Sequence, residues 1–123
     1  MSKGKQNSFF LKNTSAIGCT YEVRTKKLLL KDPQNNILQI NYKKKWGEID
    51  LIVQSGKTLK FVEVRYRQRD SLQSGSESLK QLKVNRIKKT AMLFLNSYKG
   101  NATEIEFNLI EWFDPITYYW YEF

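Results

Sequence analysis

Gly47-Glu48-Ile49-Asp50-Leu51-Ile52-Val53, the polar connection Gln54-Ser55-Gly56-Lys57, and Leu59-Lys60-Phe61-Val62-Glu63-Val64-Arg65-Tyr66-Arg67 decide how this chain folds. Both flanking runs carry the β-branched and aromatic residues of strands. A short glycine-bearing connection between such runs reads as a hairpin. Side chains alternate faces along a strand, so Glu48 shares a face with Asp50, and Glu63 with Arg65. Whether the two pairs share one face depends on register. With Gln54–Lys57 as a four-residue loop, Asp50 faces Phe61, Glu48 faces Glu63, and all four polar side chains fall together. A loop one residue shorter or longer would turn Glu63 to the other face.

Working outward, Ile37-Leu38-Gln39-Ile40-Asn41-Tyr42 is a further strand, and Lys43-Lys44-Lys45 a loop or exposed strand end. Asp32-Pro33-Gln34-Asn35-Asn36 is a breaker cluster. Before it, Thr14 or Ser15 can N-cap a helix reaching about Lys31, with Ile17, Tyr21, Leu28 and the stem of Arg24 near one face. Residues 1–13 read as a flexible basic leader and 14–123 as one domain. Downstream, residues 68–77 are polar, and Ser76 or Ser78 can cap a helix to about Tyr98. Its apolar stripe is Leu79, Leu82, Ile87, Ala91, Phe94 and Tyr98, with Gly100 as the C′ residue. Thr103–Glu111 places Ile105, Phe107 and Leu109 at period two, the pattern of a half-buried strand. Asp114-Pro115 is a turn, and Ile116–Phe123 a last, largely aromatic strand. The order is α-β-β-β-α-β-β.

The chain has 123 residues, enough for one domain with a real core. It has 21 Lys and Arg against 12 Asp and Glu, a net charge of +9, and no histidine. Without histidine there is no Ser-His-Asp or Cys-His nucleophile, no His-ligated zinc and no imidazole shuttle. The single cysteine, Cys19, excludes an intrachain disulfide and a multi-cysteine zinc site. With nothing to activate it, Cys19 reads as a buried small apolar residue. Residues 1–99 hold every basic side chain and a net +14, whereas residues 100–123 hold five acidic residues and no basic one. Such a basic body points to a polyanionic partner, of which nucleic acid is the commonest, or to a solvated surface. No apolar run nears the roughly 20 residues needed to span a bilayer. A cytoplasmic protein without membrane contact is the expectation.

Carboxylates beside apolar strand runs are costly to bury unpaired, and like charges across a sheet repel. A divalent cation held by oxygen ligands resolves both problems, and Mg²⁺ suits one or two carboxylates with retained waters. It can activate water for attack on a phosphodiester. Ordinary salt bridges resolve them equally well: Glu63 to Arg65 or Lys60, and Asp50 to Lys45 or Arg67, on a solvated face.

At these residues the sequence strongly resembles the YraN-like family of bacterial proteins. That family is related by fold to Holliday-junction resolvases and restriction endonucleases, the Asp…Glu-x-Lys nuclease superfamily. The resemblance rests on Gly47-Glu48-Ile49-Asp50-Leu51-Ile52 followed by Phe61-Val62-Glu63-Val64-Arg65-Tyr66-Arg67. It extends to Glu22, Ile37–Tyr42, Lys83 and Ala91–Leu95, covering residues 15–123. It implies a restriction-endonuclease-like α/β fold, a central mixed sheet flanked by helices. It implies Asp50 and Glu63 as ligands of Mg²⁺ or Mn²⁺, the Val64 carbonyl as a third oxygen, and Glu22 approaching from the first helix. The family's lysine two residues after the Glu is here Arg65. Arginine keeps its proton, so it can clamp a phosphate but cannot act as a general base. Some superfamily members take the lysine from a neighbouring element, and Lys83 is then the candidate; otherwise it is an exposed helix lysine. Asn108 stands where the family often has Asp.

The resulting expectation is a metal-dependent DNA endonuclease, acting on branched DNA. Lys43, Lys44, Lys45, Arg67 and Arg69 are candidates for phosphate contacts, or plain surface charge. Trp46 reads first as a core residue and alternatively as a base-stacking one. Two other readings stand beside this one. Arg65 fits a nucleic-acid-binding protein that kept the fold and lost the chemistry. The aromatic C-terminus fits a protein-interaction or homodimer surface.

Overall fold

A computed structural model describes residues 10–67 and 79–123, with side chains from Thr20 onward. Of the leader, residues 1–9 lie outside the described residues, as do Ser76, Ser78 and the Cys19 side chain. The elements are α1 (Phe10–Leu30), β1 (Asn35–Lys44), β2 (Gly47–Ser55), β3 (Thr58–Tyr66), α2 (Gln81–Ser97), β4 (Glu104–Asp114) and β5 (Thr117–Glu122). They form one mixed sheet in the order β1-β2-β3-β4-β5, with β3 and β4 parallel and every other neighbour pair antiparallel. This is the α-β-β-β-α-β-β architecture of a restriction-endonuclease-like α/β fold. No described helix is long and apolar enough to cross a membrane.

Each helix covers one face. Tyr21, Thr25 and Leu29, four residues apart and so on one helix stripe, are the buried side of α1. They pack with Leu51, Val53, Val62, Ile110 and Trp112 of the sheet. The stripe expected through Tyr21 and Leu28 is thus rotated, with Leu28 only half-buried at its edge. Thr25 lies in this stripe because its hydroxyl has work there: it donates to Tyr21 O at 2.7 Å and accepts from Trp112 Nε1 at 2.8 Å. Helix α1 starts at Phe10, so Thr14 and Ser15 lie inside it instead of capping it. Its C-terminal end is closed by Asn35, which donates to Leu29 O at 2.8 Å.

Ile87, Ala91 and Phe94 of α2 pack on Ile49, Ile52, Leu59 and Phe61. Leu82, expected in this stripe, is 62% exposed. Lys80 stands at the α2 N-cap without a side-chain cap bond, and the C-cap is Tyr98 in an extended conformation, so Gly100 is not a left-handed cap. Strand β4 is buried on both faces from Asn108 to Trp112, as befits a strand between two neighbours and under two helices. Its alternation was therefore only part of its pattern.

The β2–β3 hairpin closes on two residues, Gly56 and Lys57, with Gly56 at φ +60° as a tight turn requires. Gln54 and Ser55, expected in the loop, stay in the ladder opposite Leu59 and Thr58. Gln54 is held there by bonds to Gly56 O, Asn101 and Tyr98. The register moves by two residues, and an even shift preserves the faces. Asp50 therefore comes level with Glu63 instead of Phe61.

Candidate active site

The β2–β3 ladder runs from Ser55–Thr58 to Leu51–Val62 and stops. Beyond that point β2 continues with β1 as far as Gly47–Lys44, and β3 continues with β4 as far as Tyr66–Trp112. The sheet forks, and the fork begins at Asp50 and Glu63. Ile49 and Ile52 both pack on the α2 side although three residues apart, so β2 breaks strict alternation here. A fork leaves main-chain groups without ladder partners. The Asp50 carboxylate replaces one: its Oδ2 accepts the Val64 N–H at 2.8 Å.

Asp50 and Glu63 open onto one cleft of about 200 Å³, also lined by Trp46, Glu48, Lys83 and Arg86. Glu63 is nearly buried, its side chain 10% exposed, and Lys83 Nζ from α2 lies 2.9 Å from its Oε2. Glu22 approaches from α1. Between them stands Asn41 of β1, at φ 53°, in the left-handed region that asparagine tolerates better than most residues. With its amide oriented to satisfy both neighbours, Asn41 donates to Glu22 Oε1 at 3.1 Å and Glu48 Oε2 at 3.3 Å.

Four carboxylates thus converge, and Asp50 and Glu22 register the crowding. Burial pushes the Asp50 carboxyl up to about 8, helped by the charge of Glu63 and then those of Glu22 and Glu48, against the Val64 N–H. Burial also raises Glu22, with Glu48 and Glu63 adding to it and Lys26 and Asn41 opposing. The donor set is all hard oxygen, the chemistry that Mg²⁺ and Mn²⁺ take. Among the described residues no group of three or more Asp, Glu, Cys or His side chains is placed to hold a metal ion together. A cation here would share its shell with main-chain oxygen and water, as Mg²⁺ commonly does.

The other candidates are placed as follows. Val64 gives its N–H to Asp50. Arg65 is half-buried, lies in register with fully buried Glu111, and lines a cavity of about 370 Å³ with Glu63, Leu79, Lys80 and Lys83. Arg67 is a correction. Its guanidinium pairs with Glu111 at 3.3 Å, the two side chains 8% and 0% exposed, so it is a buried counter-ion and not a surface contact. Arg69 lies outside the described residues. Lys43, Lys44 and Lys45 are exposed at the β1–β2 turn. Trp46 is 43% exposed, which removes it from the core. Asn108 is buried in β4 opposite Val62, with its Oδ1 lacking a hydrogen bond. On edge strand β5, Tyr119 and Trp120 are 55% and 41% exposed.

Sequence reasoning placed Glu48 beside Asp50 and Glu63 without giving it a role, and missed Asn41, which bonds Glu22 and Glu48, and Arg86, which lines the cleft. Glu48 carried a signal, since it alternates with Asp50 in one strand. Asn41 carried none, because its role comes from a backbone conformation. Arg86 belongs to a helix whose rotation only packing defines.

The family model described as Uncharacterised protein family UPF0102 matches residues 21–116. A UPF0102 protein of Vibrio campbellii is 40% identical over 91 residues, 74% of each chain. One from Fusobacterium nucleatum is 34% identical over 100 residues, 81% of this chain and 83% of the relative. One from Vibrio parahaemolyticus is 37% identical over 95 residues, 76% and 78% respectively.

Proposed function

The chain belongs to the uncharacterised UPF0102 family, the YraN-like family, and from its forked carboxylate site we propose that it is a metal-dependent DNA endonuclease. One observation carries the reading. Asp50 and Glu63 come level where β2 and β3 part, and they face one cleft with the Lys83 ammonium already on Glu63. In this reading the two carboxylates hold Mg²⁺ or Mn²⁺, with the Val64 carbonyl as a further oxygen. The chemistry such a cation supplies is activation of a water and neutralisation of charge on phosphoryl oxygens.

The chain's own groups set the geometry. The Val64 N–H fixes one oxygen of Asp50 and leaves the other for binding. Asn41 steers Glu22 and Glu48 toward the cleft. Lys83 brings an ammonium from α2 close to Glu63, where β3 itself carries Arg65. Arg65, always charged, grips a substrate phosphate and takes no proton. The exposed Lys43–Lys45 run contributes further phosphate contacts, which fix position and not sequence.

Supercoiled plasmid and branched duplexes, incubated with Mg²⁺ or Mn²⁺, test this. Nicking that requires the cation and is lost in Asp50→Ala and Glu63→Ala is the expected result. Homogeneous protein that cleaves no duplex, junction or flap at any cation concentration refutes it. Arg65 motivates a second reading, a DNA-binding protein without chemistry. In that case salt-dependent binding survives Asp50→Ala while no variant cleaves.

A further inference from the structure

Beside the acidic cleft runs a second, larger groove of about 770 Å³ between the β1–β2 turn and α2. Lys43, Lys44 and Lys45 line one wall, and Arg86 and Lys89 the other. Gly47 lies against α2, where a Cβ would make ordinary contact with Arg86 Cβ at 3.4 Å and Thr90 Oγ1 at 3.6 Å. Trp46, Gly47 and Arg86 line both the groove and the cleft, so the two meet at the indole.

Trp46 is the anomaly of this surface. A large aromatic ring, 43% exposed, sits among cations at the tip of a two-residue turn, where burial would ordinarily have removed it from water. Its ring instead carries ammonium groups, Lys89 Nζ at 4.5 Å and Lys45 Nζ at 5.2 Å from the centroid. Cations over an indole hold the ring in place and polarise it. Phosphate charge accounts for the lysines. It does not account for the tryptophan, because a duplex presents phosphates outward and keeps its base faces stacked on each other. The ligand that uses both features is an unpaired strand, whose bases stack on aromatic rings while its backbone tracks a cationic groove.

We propose that this groove binds a single-stranded DNA segment, with an unpaired base stacked on Trp46 and its flanking phosphates held by Lys45, Arg86 and Lys89. A base arriving on the ring displaces an ammonium from it, and that ammonium is then within reach of the adjoining phosphate. Because Trp46 borders the acidic cleft, the phosphodiester next to the stacked base is the one presented to Asp50 and Glu63. That last step rests on the nuclease reading; the binding does not. The substrate class is DNA with an unpaired segment, such as a flap, a gap or an open junction.

The test is binding without chemistry. The Asp50→Ala protein in EDTA is titrated against a labelled oligothymidylate, a blunt duplex, and that duplex bearing an oligothymidylate flap, with anisotropy as readout. The single strand and the flap bind at least about tenfold more tightly than the blunt duplex, the expected worth of one good stacking contact. Trp46→Ala weakens the single strand and the flap by about 5- to 100-fold and leaves the dependence on salt unchanged. Trp46→Phe recovers most of the loss. Arg86→Ala and Lys89→Ala each flatten the logarithmic salt dependence on single strands by about 0.7. Equal affinity for blunt duplex and single strand, or an unaltered affinity in Trp46→Ala, overturns the proposal. Trp46-dependent binding by a wild-type protein that never cleaves refutes the nuclease reading alone.

Discussion

Asp50 makes a claim about stability that can be measured without knowing a substrate. Its carboxyl is raised from an ordinary 3.8 to about 8, so the folded protein binds a proton across a pH range in which the unfolded chain has lost it. Below about pH 4 both states are protonated and the group is neutral in the balance. Above that, stability falls with pH until the folded carboxyl itself ionises near 8, with a full slope of about 1.4 kcal/mol per pH unit. Between about pH 5 and 7 the loss is about 3 kcal/mol, which for a domain of this size is a fall of about 10 °C in Tm. The absence of histidine keeps this window clear of the residue that usually titrates there. Thermal unfolding in EDTA, followed by circular dichroism at steps through the window, gives the slope. Asp50→Asn keeps an oxygen to accept the Val64 N–H and removes the proton, so its curve is flatter, with a residual slope from Glu22, which is also raised. Adding Mg²⁺ restores wild-type stability most at the alkaline end, where the carboxylates are charged. Wild type and Asp50→Asn running parallel from about pH 5 to 7 would refute the reasoning, because the burial and like-charge repulsion assigned to Asp50 would then be absent.

Three further outcomes follow from single contacts. In Arg65→Lys, cleavage rises by about tenfold or more if Arg65 limits proton transfer, and stays level if Lys83 already serves; plasmid-nicking rates separate the two. Glu111→Ala removes the buried carboxylate paired with the Arg67 guanidinium and costs about 3–5 kcal/mol in urea unfolding, where loss of an exposed pair would cost under about 1. Thr25→Val keeps the shape and removes the acceptor of Trp112 Nε1, costing about 1–3 kcal/mol; a neutral change would mean that this bond does not tie α1 to β4.

The fold was legible wherever local chemistry and tertiary demand agreed. The β2 and β3 runs have the side chains of strands and a turn glycine between them, and every other element fell within a few residues of its expected place. Legibility failed where a polar residue does a buried job. Thr25 was absent from the stripe expected for the first helix, because only the Trp112 indole on a distant strand gives its hydroxyl a reason to be buried. Arg67 read as surface charge for the same reason, since Glu111 is brought beside it by the parallel β3–β4 pairing and by nothing in the local sequence. Leu82 erred in the opposite direction: it has the spacing of the α2 stripe, yet α2 packs through Ile87, Ala91 and Phe94 and leaves that turn in solvent.

The site divides along the same line. That Asp50 and Glu63 share a face followed from counting, and it survived a turn two residues shorter than expected because a shift of two leaves parity intact. What counting cannot reach is that the ladder between them ends there. Continued pairing would hold Val64 and Asp50 in main-chain bonds and crowd two carboxylates on a closed sheet. Parting the strands frees the Val64 N–H, and the Asp50 side chain takes it, so the fork both exposes the carboxylates and fixes one of them. On the other side of β2, Asn41 of β1 adopts a left-handed conformation and bonds Glu22 and Glu48. Each of these groups is ordinary in the sequence. Their concentration in one place, with burial and like charges raising the Asp50 carboxyl, argues for a ligand of opposite charge, because a fold under no such demand would not gather acidic side chains at a half-buried opening.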